Sequence, residues 1–292
     1  MTISIPDLEQ RAALGWRAPE EERLGDWLLR AAGGFTGRAN SALATGDPGS
    51  PLDQAAGAVQ DWYQARGLPA MIAVSYPAGR AHAAPADRFL AERGWSVRSG
   101  AATVMTAPAG QVARVAGSAR TGAAVPAAGG RVPGVTEAPI PVALDPEPSE
   151  DWLALYHYRG QPSLPPIARQ VLTSAPWQAF ASVRDGGETV AIGRVAAAAG
   201  WAGLTAIEVA PGHRRRGLAT AITAALAAQA AAHGAGHLYL QVEDDNEAAQ
   251  ALYHRNGFSV HHGYHYRIAA HHSRNPAEMA DRPTRHGPGG CR

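Results

Sequence analysis

The stretch Ile207-Glu208-Val209-Ala210-Pro211-Gly212-His213-Arg214-Arg215-Arg216-Gly217-Leu218-Ala219-Thr220 decides the reading of this 292-residue chain. A β-strand ends, a short turn follows, and an alanine-rich helix begins. Arg214-x-x-Gly217-x-Ala219 falls on the turn and the helix N-terminus. There the first backbone N–H groups lack intrahelical partners and the helix dipole is positive. Such a terminus is a phosphate site. Gly217 and Ala219 carry almost no side chain, so a pyrophosphate can approach the backbone closely. Arg214, Arg215 and Arg216 raise the local positive potential. The competing reading is a plain strand-to-helix turn whose small residues serve packing. A Walker loop is excluded because the GKS/T ending is absent, and a dinucleotide fingerprint because GxGxxG is absent.

Outward from this stretch, the pattern alternates strands and helices. Trp177–Arg184, Thr189–Ala197 and Gly203–Val209 read as strands, with a turn at Asp185-Gly186-Gly187. A helix runs from about Arg216 to His233, and its alanines favour close packing on a sheet. Leu238–Val242 is a strand, Asn246–Asn256 a helix stopped by Gly257, and a strand follows from Phe258. Upstream, Pro141–Leu144 is a candidate strand, and Ser149-Glu150-Asp151 caps a helix through Tyr158. The region 107–133 has no aromatic residue and no sustained period, which reads as a flexible linker. The region 269–292 reads as a disordered tail.

The region 1–106 is a second structured block. Pro19-Glu20-Glu21-Glu22 reads as an acidic first helical turn before Leu24 and Trp27. Ala39–Leu43 is strand-like, Leu52–Arg66 a helix, Met71–Val74 a strand, Pro85–Arg93 a helix and Ala101–Thr106 a strand. The segments Ala65–Ser75 and Phe89–Met105 echo Ala232–Val242 and Ala251–Ile268, a faint internal repeat. The fold class is α/β (α+β), with a mixed central sheet flanked by helices.

Composition narrows the function. The chain has 26 basic and 25 acidic side chains and a formal net charge of +1. That balance argues against a general nucleic-acid binder. No apolar run approaches the ~20 residues of a membrane helix, and Met1–Pro6 lacks the features of a secretory signal. The expected location is the cytoplasm. The lone Cys291 excludes an intrachain disulfide framework and a CxxC metal site. Lysine is absent, which together with heavy Ala, Gly and Pro use looks like the coding bias of a GC-rich genome.

Val209-Ala210-Pro211 followed by Arg214-Arg215-Arg216-Gly217-Leu218-Ala219 resembles the acyl-CoA motif of the GNAT N-acetyltransferase superfamily. A second segment, from Asn246 to Phe258, is similar to that family's N-x-x-A-x-x-L-Y-x-x-x-G-F. The resemblance covers 134–268. The wider context, including Gly15–Ser41 near the start and His261–Arg267 near the end, looks like actinobacterial two-domain GNAT proteins, in which 1–106 is a degenerate GNAT-like half lacking the R-x-x-G-x-A turn. The implied architecture is a tandem GNAT-like fold with its catalytic half C-terminal.

The resemblance implies acetyl-CoA as cosubstrate, no metal, and direct transfer to a primary amine of a small molecule in a ternary complex. Ile207 and Val209 would lie along the cofactor arm, with Val209 pairing through its backbone. The amides of Arg214, Arg215, Arg216, Gly217, Leu218, Ala219 and Thr220 would hold the pyrophosphate, and Asn246 would support the arm or the splay between the two central strands. Tyr253 matches the family tyrosine that protonates the departing thiolate, and the alternative is a packing role. Glu208 is the candidate base, and the alternative is a solvated or salt-bridged strand residue. Gln241 stands where some relatives place a glutamate and cannot act as a base. Glu243 and Asp244 are candidate relays or loop charges. His261, His262 and His265 are further base candidates, with strand alternation placing His261 and His262 on opposite faces. Trp177, Trp201, Tyr264 and Tyr266 are candidate pocket residues, and the alternative is a core role. Two other functions share the motifs: a protein acetyltransferase, and a non-catalytic acyl-CoA-binding regulator. The expected state is a monomer or homodimer.

Overall fold

The structure is a computed structural model, and it describes residues 3–118, 140–156 and 163–270. In the first half α1 (Ile5–Gly15) precedes β1 (Glu20–Leu24), β2 (Trp27–Ala31), β3 (Ala42–Leu43), α2 (Leu52–Gln64), β4 (Met71–Pro77), α3 (Pro85–Glu92), β5 (Ser96–Val97), β6 (Ala102–Pro108) and α4 (Ala109–Ser118). In the second half β7 (Ala143–Asp145), α5 (Glu150–Leu155) and α6 (Ile167–Leu172) lead into β8 (Trp177–Asp185), β9 (Glu188–Ala198) and β10 (Trp201–Val209). Then come α7 (Leu218–Ala232), β11 (His237–Glu243), α8 (Glu247–Arg255) and β12 (Ser259–Ile268). No helix among the described residues is long and apolar enough to cross a membrane.

One mixed sheet runs through both halves in the order β1-β2-β3-β4-β12-β6-β11-β10-β9-β8-β7, with β5 on β12. Each half repeats one plan. An antiparallel hairpin leads to a strand, and a helix then crosses over to a parallel neighbour: β3 to β4 through α2, and β10 to β11 through α7. Each plan then continues helix, strand. The final strands are exchanged: β12 pairs with β4, β6 pairs with β11, and the two exchanged strands pair antiparallel with each other. This gives the echo between the two sequence blocks a structural counterpart, and the halves share one sheet.

Three segments differ from the sequence reading. Glu20–Leu24 is a strand, not a first helical turn, and it pairs residue for residue with β2. Trp27–Ala31 is buried along its whole length, which a helix with one apolar stripe cannot achieve. Gly25, at φ +57°, makes the reversal, and a Cβ there would lie 2.4 Å from the Pro48 carbonyl carbon. The start of the expected linker, 107–118, is the end of β6 and helix α4. Ala109 and Val112 are buried in the core beside α7, and Ala109 N–H donates to Gly236 O at 3.0 Å. Packing against that face outweighs the weak local pattern. Residues 119–133 of the expected linker, 157–158 of the Ser149-capped helix, 271–292 of the expected tail and Cys291 lie outside the described residues. Finally, α1 was not legible as a helix, although Ser4 caps it by accepting from Asp7 N–H and proline stands in its first turn.

The alanines of α7 let it lie close to the sheet. Ala224, Ala227 and Ala230 are buried, and a Cβ on Gly193 of β9 would sit 2.5 Å from Ile222 Cγ2. On the other face Trp152 of α5 fills the core and donates Nε1–H to Ala181 O at 3.1 Å.

Candidate active site

β10 and β11 pair only from Trp201/His237 to Leu204/Leu240, and then they part. On the far side β11 keeps a complete ladder with β6, from His237 to Glu243. β10 in turn follows β9, but the register slips between Thr205 and Glu208, and Ala206 takes φ +53°. This is a β-bulge, which bends its strand and re-aims the backbone. The edge of Ile207–Val209 that would have met β11 is therefore left facing the gap. Ile207 and Val209 pack on the core beneath α7. Glu208 stands opposite Ile192 on the other face, which belongs to the core of Trp16, Phe35 and Trp152.

Beyond the bulged strand the chain makes the turn the sequence suggested. Ala210 N–H is held by Val190 O at 2.9 Å, and Pro211–His213 forms a single 3-10 turn. Arg215 has φ +62° and Gly217 φ +79°. Residues of left-handed conformation alternating with ordinary ones aim successive N–H groups inward, as in an anion-binding nest. Gly217 is the N-cap of α7 and has no side-chain cap, so the first N–H groups of α7 have no side chain of their own turn to satisfy them. Among the described residues a Cβ on Gly217 would meet only Ile140 Cδ1, at 3.9 Å. Among the described residues the cradle is thus open, basic and uncapped by side chains, which fits the phosphates of a coenzyme A. The arginine side chains serve different ends. Arg214 Nε donates to Val209 O at 3.4 Å, while Arg216 binds Asp185 at 2.8 Å and holds that carboxyl below the usual carboxylate range.

Asn246 caps α8, its Oδ1 accepting from Ala249 N–H at 3.1 Å. Tyr253, two turns into α8, lies edge-on to Phe258 with ring centroids 5.9 Å apart. Tyr253 and Ala249 pack on the same core rim as Ile207, Val209 and Ala210. So the two sequence motifs converge on one side of the parted strands. Burial pushes the Tyr253 phenol up to about 12, so it keeps its proton at neutral pH.

On the opposite face, below the point where β10 and β11 part, a cavity opens between the halves. It is bounded by Thr205 of β10, Gln241 of β11, Tyr264 and Tyr266 of β12, and Glu9 and Arg38 of the first half. Gln241 Oε1 accepts from Arg38 and from the Tyr264 hydroxyl. Trp177 and Trp201 are not part of it, and they stack on His233 and His237 at 4.0 and 4.8 Å. Asp244 accepts from Thr103 Oγ1 at 2.7 Å, and Gln250 Nε2 donates to the backbone oxygens of Glu243 and Asp244.

The histidines need a correction. A register shift between Val260 and His262 makes His261 the extra residue of a bulge, so alternation fails there. His261 Nδ1 and His262 Nδ1 lie 2.8 Å apart, and His262 Nε2 lies 2.8 Å from Glu9 Oε1. His265 instead joins Asp87 at 2.6 Å, with Arg267 and His82 on the same carboxylate. His82, Asp87 and His265 are the one group among the described residues able to converge on a metal. Arg267 already donates to both carboxylate oxygens, at 2.7 and 3.0 Å, so the group is built as a buried ion-pair cluster.

A family model described as probable histone acetyltransferase Rv0428c, C-terminal, matches residues 2–267. The chain belongs to that family. An uncharacterized N-acetyltransferase of Bacillus subtilis (strain 168), YobR, is 28% identical over 269 residues, covering 90% of this chain and 98% of its own. A GCN5-related N-acetyltransferase from Kribbella flavida superposes with a TM-score of 0.60 at 19% identity, over 92% of this chain and 98% of its own. A tandem GNAT protein from the clavulanic acid biosynthesis pathway gives 0.55 at 15%, over 90% and 87%. At such identities the two structures speak for the fold, and the fold is the tandem GNAT one. The protein is a GNAT-type acetyltransferase.

The family match extends through the first half as well, and the residues there that reach the cavity had no motif to announce them. Glu9 lies on α1, whose Ser4 cap and early proline are a readable helix start. Arg38 follows the turn Gly33-Gly34, inside the 15–41 stretch that resembles two-domain GNAT proteins, and nothing in that resemblance gives it a site role.

Proposed function

We propose that the protein transfers the acetyl group of acetyl-CoA to a primary amine of a small molecule by direct attack in a ternary complex. One observation carries the reading: the gap between β10 and β11 has an open phosphate cradle on one side and a cavity on the other. Cofactor and acceptor can then meet through the sheet without an intermediate carrier. Arg214 to Thr220 hold the pyrophosphate through backbone N–H groups, Ile207 and Val209 line the arm, and Asn246 fixes the start of α8 beside it. A backbone N–H of the bulged strand polarises the thioester carbonyl, an oxyanion-type role. Tyr253 supplies the proton to the leaving sulfur, and Glu208, on the acceptor face, takes one from the attacking ammonium. The near-zero net charge supports a small-molecule acceptor over nucleic acid. We read the protein as cytoplasmic, a monomer or homodimer, without membrane or metal partner.

The description of the matching family model favours a second reading, a protein acceptor such as a histone. Thiol release from acetyl-CoA, measured on small amines and on lysine-bearing peptides, separates the two. Small amines should be turned over, and Glu208→Gln should lower their turnover about 10²-fold, the usual span of a lost general base. Turnover of peptides alone would overturn the small-molecule reading, and unchanged turnover in Glu208→Gln would remove Glu208 as base.

A further inference from the structure

The cavity between the halves is cationic, and its positive charge is unmatched. Arg30, Arg38 and Arg194 converge on it. Among the described residues none of the three forms an ion pair. Arg194, 0% exposed, donates Nε to Leu172 O at 2.6 Å and Nη2 to Gly15 O at 3.1 Å, the final carbonyls of α6 and α1. Those helix C-termini offset part of its charge. Burial still pulls Arg194 down to about 10. Arg30 is also buried, and its guanidinium donates to the Ser41 carbonyl and hydroxyl, at 3.1 and 3.2 Å. Arg38, half-buried, holds Gln241 and lies over the Trp16 ring, 4.8 Å from its centroid.

Glu9 lines the same cavity, but its carboxylate is engaged elsewhere: His262 Nε2 lies 2.8 Å from Oε1, and among the described residues Glu9 forms no ion pair with an arginine. Three guanidinium groups thus face the cavity beside a single, otherwise engaged carboxylate, and buried charge without a partner is costly.

We propose that the acceptor is an amine that also bears a carboxylate, seated against Arg38 and Arg30 with its amine toward the opening between β10 and β11. The inference rests on the acetyl-transfer reading and names its substrate class. The cavity holds about 480 Å³ of space with its mouth included. A carboxylate seated there competes with Gln241 for Arg38, and it is the bidentate partner that the planar guanidinium suits. A polycation, such as an aminoglycoside or a lysine-rich tail, meets repulsion in the same place.

The test uses the full chain and thiol release. Glycylglycine, glycylglycinamide, spermidine and kanamycin are compared as acceptors, and the protein loaded with CoA is titrated calorimetrically with succinate. The carboxylated amine should exceed its amide at least tenfold in kcat/KM, with spermidine and kanamycin slowest. Succinate should bind the loaded protein, and Arg38→Gln should weaken both the preference and succinate binding at least tenfold while acetyl-CoA affinity stays unchanged. Equal or faster turnover of the amide or the polycations would overturn the proposal and leave acetyl transfer standing. If none of the four amines is turned over, succinate decides: no binding to the loaded protein overturns the proposal. Failure to bind acetyl-CoA would remove the transfer reading and this one with it.

Discussion

Tyr253→Phe lowers kcat about 10²-fold and leaves the Kd for acetyl-CoA within about twofold, if the phenol is the acid that protonates the thiolate. The structure makes this substitution a clean one. The ring stays edge-on to Phe258 and packed on the core rim, because only the hydroxyl is removed. That hydroxyl makes no hydrogen bond with a described residue. A phenol pushed up to about 12 by burial stays protonated through neutral and mildly alkaline pH. Turnover of the native protein should accordingly show no alkaline fall from this group below about pH 10. Steady-state kinetics beside calorimetry measures both halves of the prediction. An unchanged kcat assigns Tyr253 to packing.

Asp87→Asn destabilises the protein by about 3–5 kcal/mol, the cost of removing one partner from a buried ion pair. Asp87 is 0% exposed and accepts from Arg267, His265 and His82. Arg267 and His265 belong to β12, the strand that the second half lends to the first, while Asp87 belongs to α3 of the first half. The cluster therefore fastens the exchanged strand. Burial alone would raise the Asp87 carboxyl, but the hydrogen bonds from Arg267, His265 and His82 hold it well below the usual carboxylate range. A carboxyl with a depressed value in the fold contributes stability above its unfolded value of about 3.9, lost as pH falls through the folded value. Burial also holds the His265 imidazole below its ordinary value, against the pull of Asp87, and this too costs stability on acidification. Urea denaturation should show a loss for the native chain below about pH 4 that Asp87→Asn lacks. Equal stability of the two proteins at neutral pH would contradict this account of the cluster.

What could be read from the sequence follows from the range of the forces involved. The turn from β10 to α7 and the capped start of α8 are local constructions, so Gly217, Arg214 and Asn246 announce themselves by spacing. The hairpin at Glu20–Ala31 misleads because acidic residues suit a first helical turn, while what decides the matter is burial of Trp27–Ala31 on both faces. The His261 bulge misleads similarly, since alternation holds only where the register does. The exchange of β6 and β12 leaves no local trace, because it pairs residues distant in sequence, such as Ser259 with Thr106. Glu9, Arg30 and Arg38 reach the cavity only through that exchange and through α1, so no motif could have named them.

The central claim is that one chain, although built from two GNAT-like halves, binds acetyl-CoA once, at the turn from β10 to α7. The equivalent start of α2 has Pro51 as its N-cap and no R-x-x-G-x-A turn before it. Calorimetric titration of the full chain with acetyl-CoA measures this most directly. The account predicts saturable binding of one equivalent per chain, and no heat of binding, or two equivalents, would contradict it.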